Sequence, residues 1–250
     1  FLQLIFITFF IYSFNLNLTD LRIEILNNFL ENLIFNYFFV GFCLLVFING
    51  ANFIDGNNTL SLGYYIIVLT SILYLKLLGV PVIFEYDFLY SFLTLLVILI
   101  VFNFFNKIYL GDNGIYLLSL FFGYTALKIH SADPNISPYF IAVILWYPSF
   151  EILFSFIRKI KSKISPMNAD NYHIHQLLYF YLNKKMSKKL YANSLTGLSI
   201  NIFNLFIIFY SLKEIYNTKY QVFLLGISTI IYLLSYYLLY KYKKLVLKKK

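Results

Sequence analysis

Apolar residues come in long runs separated by short polar stretches. The runs cover about 1 to 14, 34 to 48, 60 to 78, 88 to 105, 114 to 129, 137 to 157, 194 to 212 and 221 to 240. Each is near, or a little short of, the roughly 20 residues an α-helix needs to cross a bilayer core. Within lipid only helices and closed barrels satisfy the backbone internally. The pattern therefore predicts an all-α, polytopic transmembrane helical bundle with about eight spans, forming one integral-membrane domain over residues 1–250. Pro148, inside the sixth run, predicts a kink there.

Composition sharpens this reading. Sixty per cent of residues are hydrophobic, 12% are charged and the mean hydropathy is +0.74, against about 25% charged and 45–50% apolar in soluble domains. The 24 Tyr and 29 Phe read as lipid-facing bulk and interfacial belts. The chain opens at Phe1 inside an apolar run, with neither an initiator Met nor a basic flank, and reads as a fragment without its beginning. Cys43, the lone cysteine, lies within a span and has no intrachain partner.

Charge decides orientation. Eight alternating spans place the connections at about 49–59, 106–113 and 158–193 on one face with the tail 241–250. That face holds Lys107, then Arg158, Lys159, Lys161, Lys163, Lys184, Lys185, Lys188 and Lys189, then six lysines of the tail: fifteen of the twenty basic residues. Arg22, Lys76, Lys128, Lys213 and Lys219 remain on the other. The positive-inside rule makes the first face cytoplasmic. The tail "KYKKLVLKKK" reads as a headgroup anchor. Nucleic acid is not an expected partner, because the net charge of +9 sits in juxtamembrane loops.

Three polar islands fall on this face. The first, "NGANFIDGNNTL" at 49–60, spaces Asn49, Asn52 and Asp55 by three, along one side of a helix end. An Asp at a helix C-terminus opposes the dipole and wants a cation. Gly56 lets the chain leave the helix. The second, "KIYLGDNG" at 107–114, puts Asp112 near a helix N-terminus. The third, in the basic loop, carries His173 and His175, which share a face if extended. One cysteine and one further histidine, His130 on the opposite face, are too few for a zinc site. Imidazoles among Lys and Arg suit phosphate. Two carboxylates among oxygen donors suit Mg²⁺, which takes one or two carboxylates plus substrate phosphates. Mg²⁺ joined to a phosphorylated substrate points to phosphoryl transfer.

"NGANFIDGNNTL", "KIYLGDNGIYLLSLFFGY" and "RKIKSKISPMNADNYHIHQLLY", in that order and separated by spans, resemble the polyprenyl-phosphate N-acetylhexosamine-1-phosphate transferases, the WecA/MraY-like group of glycosyltransferase family 4. The resemblance implies a cytoplasmic site in a bacterial inner membrane. There a sugar 1-phosphate, GlcNAc-1-phosphate first among candidates, moves from a UDP-sugar to undecaprenyl or another polyprenyl phosphate, releasing UMP. It implies Asp55 and Asp112 as catalytic carboxylates, Asp112 with Asn49 on Mg²⁺ (Mn²⁺ as the substitute ion), and Asn49, Asn52, Lys107, Arg158, His173 and His175 as substrate contacts. A homodimer is compatible with it. About eleven spans in the full protein would leave about three, with an Asp-Asp motif, upstream of this chain.

Several positions depart from the family pattern. Thr59 replaces a glycine, Ile115 a serine, Asn171 an arginine and Gln176 a histidine. Glu151 stands where the family often has Asp after a proline, with either a functional role or a pairing with Lys159 open to it. Asp20, Glu24, Glu31, Glu85 and Asp87 read as solvated connections on the outer face. The rival readings are a non-catalytic family member and a transporter of lipid-linked sugar.

Overall fold

A computed structural model describes residues 2–165, 168, 170–186 and 191–248. Lys188, Lys189, Lys249 and Lys250 of the basic loop and tail, Phe1, and Pro166, Met167 and Ala169 of the third island lie outside the described residues. In chain order the α-helices are α1 (Leu2–Ser13), α2 (Glu24–Leu30), α3 (Leu33–Ile54), α4 (Leu60–Leu77), α5 (Tyr86–Phe104), α6 (Gly111–Ala132), α7 (Pro138–Ile144), α8 (Trp146–Lys161), α9 (Ile174–Lys185), α10 (Ala192–Ser211) and α11 (Thr218–Lys248).

Each apolar run becomes helix. By length and composition α3, α4, α5, α10 (extended by the turn to Glu214) and α11 can each cross a membrane, and the bent pair α7–α8 makes a sixth span if counted as one. α1 has only 12 residues, and α6, at 22, opens on a polar Gly-Asp-Asn-Gly turn. These helices make the chain a multi-pass membrane protein.

Helix α4 is the axis of the bundle: 72% of its apolar window is buried, against 17% for α5 and α11. It packs against α3, α5, α6 and α10, and α3 in turn packs against α8, α6 and α1. Lipid is as apolar as a leucine side chain, so helix contact depends on close approach at small residues. At Gly50 of α3 a β-carbon would lie 2.1 Å from the Pro148 carbonyl oxygen of α8.

The sixth run breaks as expected, though not at the proline itself. α7 and α8 meet at 78° across Leu145. Pro148 has no N–H to offer the Ile144 carbonyl four residues earlier, and its ring crowds that carbonyl, so the helix parts upstream of the ring. Pro148 then sits in the first turn of α8, where a missing N–H costs nothing. The Ile144 carbonyl accepts the Tyr64 hydroxyl instead.

Chain direction sorts the turns to two ends. At one, Arg22 Nη2 donates to the Pro134 carbonyl at 3.0 Å and Ser137 N to that of Ile215 at 3.0 Å. His130 belongs here, its Nδ1 at 3.1 Å from the Ile136 carbonyl. The other end gathers the three islands.

Candidate functional site

The first island divides into two halves. In the second half Asn58 Nδ2 donates to Asn106 Oδ1 at 2.5 Å, Thr59 N donates to Asn103 Oδ1 at 2.6 Å, and Asn201 Nδ2 donates to the carbonyls of Thr59 at 2.8 Å and Leu60 at 3.0 Å. Asn57 bonds Asn193. These buried amides lock the start of α4 to the end of α5 and to α10, a structural knot rather than a reaction site. Thr59, where the family pattern has glycine, stands at φ +64, a region costly for a β-branched residue. Its hydroxyl donates to the Ser194 carbonyl at 2.8 Å.

The first half faces the second island. Asp55 is the C-cap of α3, as its sequence position predicts. Asn52, one turn earlier, donates from Nδ2 to Asp112 Oδ1 at 3.0 Å, joining residues sixty apart. Asp112 lies in the first turn of α6, where backbone N–H groups favour an anion; the preceding Gly111 adopts φ +66, which glycine tolerates without strain. Burial pushes the Asp55 carboxyl up to about 6, the Ser61 hydroxyl bonded to it pulls the other way, and the Asp112 charge adds to the rise. Asn49 lies a further turn back and its amide bonds the Leu45 carbonyl of its own helix at 2.8 Å. Lys107 is exposed at the turn before α6.

The third island closes over the first. His173 is the extended N-cap of α9 and His175 lies in its first turn, yet their rings stack 5.5 Å apart at 17°. The His173 ring also sits 5.1 Å from that of Phe53. A β-carbon on Gly56 would lie 3.2 Å from His175 Nε2. Gly56 does not take the left-handed conformation expected of a glycine ending a helix; its role is to leave room for the imidazole. His175 is 1% exposed, and burial drives its ring down to about 4, with Glu151 opposing and His173 adding to the fall. It is therefore a neutral hydrogen-bonding group, and its buried Nδ1 has no partner among the described residues.

Arg158 Nη1 pairs with Asp170 Oδ2 at 2.8 Å and Nη2 bonds Ser155 Oγ at 3.1 Å, so it braces the histidine loop. Gln176, where the family pattern has a histidine, accepts the His173 backbone N–H at 3.2 Å and so fastens the start of α9. Of the two roles open to it, Glu151 does not take the pairing with Lys159. Its carboxylate meets His173, 2.9 Å away, and the hydroxyl of Tyr232, 2.7 Å away, while Lys159 Nζ reaches the Asn168 carbonyl at 2.7 Å. Tyr232 and Asp170 are the site residues that sequence reasoning missed; Asp170, inside the third motif, was the findable one. Ile115, in place of the family's serine, is fully buried in the core.

Among the described residues no three His, Cys, Asp or Glu side chains form a closed metal cage, and none of the ion pairs involves Asp55 or Asp112. Two adjacent carboxylates with an amide beside them and no compensating cation are a poor cage for zinc. They are an apt half-site for a hard divalent ion whose other ligands are water and substrate phosphate.

A profile described as glycosyl transferase family 4 matches residues 1–130. The chain is 35% identical over 152 residues to a probable undecaprenyl-phosphate N-acetylglucosaminyl 1-phosphate transferase of Bacillus subtilis (strain 168), the match covering 56% of this chain and 39% of that protein. The matched stretch thus spans about two-fifths of the relative's length. No solved structure matches the chain.

Proposed function

We propose, from the premise that this chain belongs to glycosyl transferase family 4, that it transfers an N-acetylhexosamine 1-phosphate from a UDP-sugar to a polyprenyl phosphate. GlcNAc is the favoured sugar and undecaprenyl phosphate the favoured acceptor, by similarity to the probable transferase of Bacillus subtilis. The products are a lipid-linked diphosphosugar and UMP. The basic loops favour a cytoplasmic site in a bacterial cytoplasmic membrane.

What carries the reading is convergence. Asn52 of the first island bonds Asp112 of the second at 3.0 Å, and His175 of the third abuts Gly56 of the first. Three polar segments with no need to meet for folding a lipid-embedded bundle do meet at one end.

Asp112 and Asp55 are the residues that would hold Mg²⁺, with the Asn52 amide holding Asp112 in place. When bound, the ion neutralises charge on the donor's diphosphate. An oxygen of the lipid phosphate bonds to the β-phosphorus of the UDP-sugar as the bond from that phosphorus to the UMP oxygen breaks. The nucleophile is already a phosphate anion, so no base is required, and the protein's work is positioning and electrostatics. Neutral His175 supplies one N–H to a donor oxygen. His173 offers the donor its remaining ring nitrogen, in a loop braced by the Arg158–Asp170 pair.

The test is exchange of labelled UMP into UDP-GlcNAc by membranes holding the full-length protein. Exchange that needs both lipid phosphate and Mg²⁺, and is abolished by Asp112→Asn, supports the reading. Exchange that survives Asp112→Asn contradicts the metal assignment, and no exchange with any UDP-hexosamine contradicts the activity.

A further inference from the structure

Glu151 takes no part in the transfer step, although it is 1% exposed in a helix where an uncompensated carboxylate is costly. Both its oxygens are engaged. Oε1 lies 2.9 Å from His173 Nδ1 and accepts the Ile174 backbone N–H at 3.3 Å; Oε2 accepts the Tyr232 hydroxyl at 2.7 Å. The donors come from two elements, the start of α9 and the middle of α11, and the acceptor from a third, α8. An ionised carboxylate only accepts, so the His173 Nδ1 must carry the proton. Nε2 is then the ring atom left for a ligand. Its charged neighbour Asp170 Oδ1 stands 3.7 Å off, beyond hydrogen-bond length.

We propose that Glu151 and Tyr232 are positioning residues: the Tyr232 hydroxyl fixes the Glu151 carboxylate, which fixes the tautomer and plane of His173 and so aims the accepting Nε2 at a hydroxyl or amide N–H of the sugar nucleotide. This rests on the transferase reading for the identity of the ligand, but the tautomer claim does not. Carboxylates behind a functional imidazole commonly set which nitrogen is presented, and their loss costs about 10–100-fold in function. Tyr232 lies 81 residues from Glu151 and belongs to the C-terminal helix. The relay therefore makes α11 part of the site's machinery rather than only a membrane anchor.

The test uses full-length protein in nanodiscs. Nitrogen-15 spectra of the histidine rings report the tautomer without turnover: wild type shows His173 protonated at Nδ1, and Glu151→Gln loses or mixes that signature. In UMP exchange, Glu151→Gln lowers kcat about 10–100-fold, Glu151→Asp recovers part of it, and Tyr232→Phe, the milder change should Glu151→Gln not fold, loses less. The decisive arm is a double-mutant cycle: in a His173→Ala background Glu151→Gln costs nothing more. A full additional loss in that background, or an Nε2-protonated His173 in wild type, overturns the proposal. Absence of UMP exchange in wild type with the expected tautomer present would instead overturn the transferase reading alone.

Discussion

Gly56 and His175 touch: a β-carbon on the glycine would lie 3.2 Å from Nε2 of the imidazole. The contact joins the end of α3 to the start of α9 and leaves no room for a side chain. Gly56→Ala is expected to lower transferase activity modestly, since the neighbour need give only a few tenths of an ångström. Gly56→Val, which forces the ring away, is expected to cost about 10²-fold, the usual penalty of a 1 Å misplacement. Gly56 is exposed and Gly56→Ala should move the thermal midpoint little, whereas displacing the buried His175 ring should lower it in Gly56→Val. A fully active Gly56→Val protein would show that His175 needs no fixed seat there.

Two buried groups at the site make opposite contributions to stability as pH changes. Asp55 titrates at about 6 in the folded protein against 3.8 for a free carboxyl, so between those values the folded state binds more protons and stability falls as pH rises. His175 titrates at about 4 against 6.5, so over nearly the same window the unfolded state binds more protons and stability falls as pH drops. Each can contribute at most about 1.4 kcal/mol per pH unit. Thermal midpoints in chelator between pH 4 and 6 should therefore vary less in wild type than in either variant. They should fall with rising pH in His175→Asn and rise with pH in Asp55→Asn. Parallel slopes in the two variants would contradict the assignments.

Thr59 gives a test of the knot beside the site. Its φ of +64 costs a β-branched residue about 1–2 kcal/mol, and its hydroxyl bond to Ser194 returns about 1 kcal/mol. Thr59→Gly removes both and should stay within about 1 kcal/mol of wild type. Thr59→Val keeps the strain and loses the bond, and should be less stable by about 1–2 kcal/mol. Chemical or thermal unfolding in detergent reads the order; Val equal to Gly would contradict it.

The helices were legible because lipid imposes a plain rule: every long apolar run must be helical. The runs at 60 to 78 and 194 to 212 differ from α4 and α10 by only a residue or two. The angle of the α7–α8 break was not legible, since a proline states that a helix is interrupted but not where neighbours will recapture the freed carbonyl. Asp55 stood out as a carboxylate at a helix C-terminus, against the dipole, and Asp112 as part of a polar turn opening an apolar run on the same face. Tyr232 could not be read, because one tyrosine among 24 carries no local signal and its meaning lies in a partner on another helix. Nor could the split of the first island into a site half and a structural half, since Asn52 and Asn58 differ only in which helix each one meets.

The central claim is that the carboxylates and the imidazoles share one pocket. Its most direct measurement is paramagnetic relaxation by Mn²⁺, used in place of Mg²⁺, on ring resonances of His173 and His175 in the full-length protein with UDP-GlcNAc bound. The account predicts strong broadening of both rings in wild type, and none in Asp112→Asn at the same Mn²⁺ concentration. Mn²⁺ bound in wild type with both histidine signals still sharp would place the metal elsewhere and contradict it.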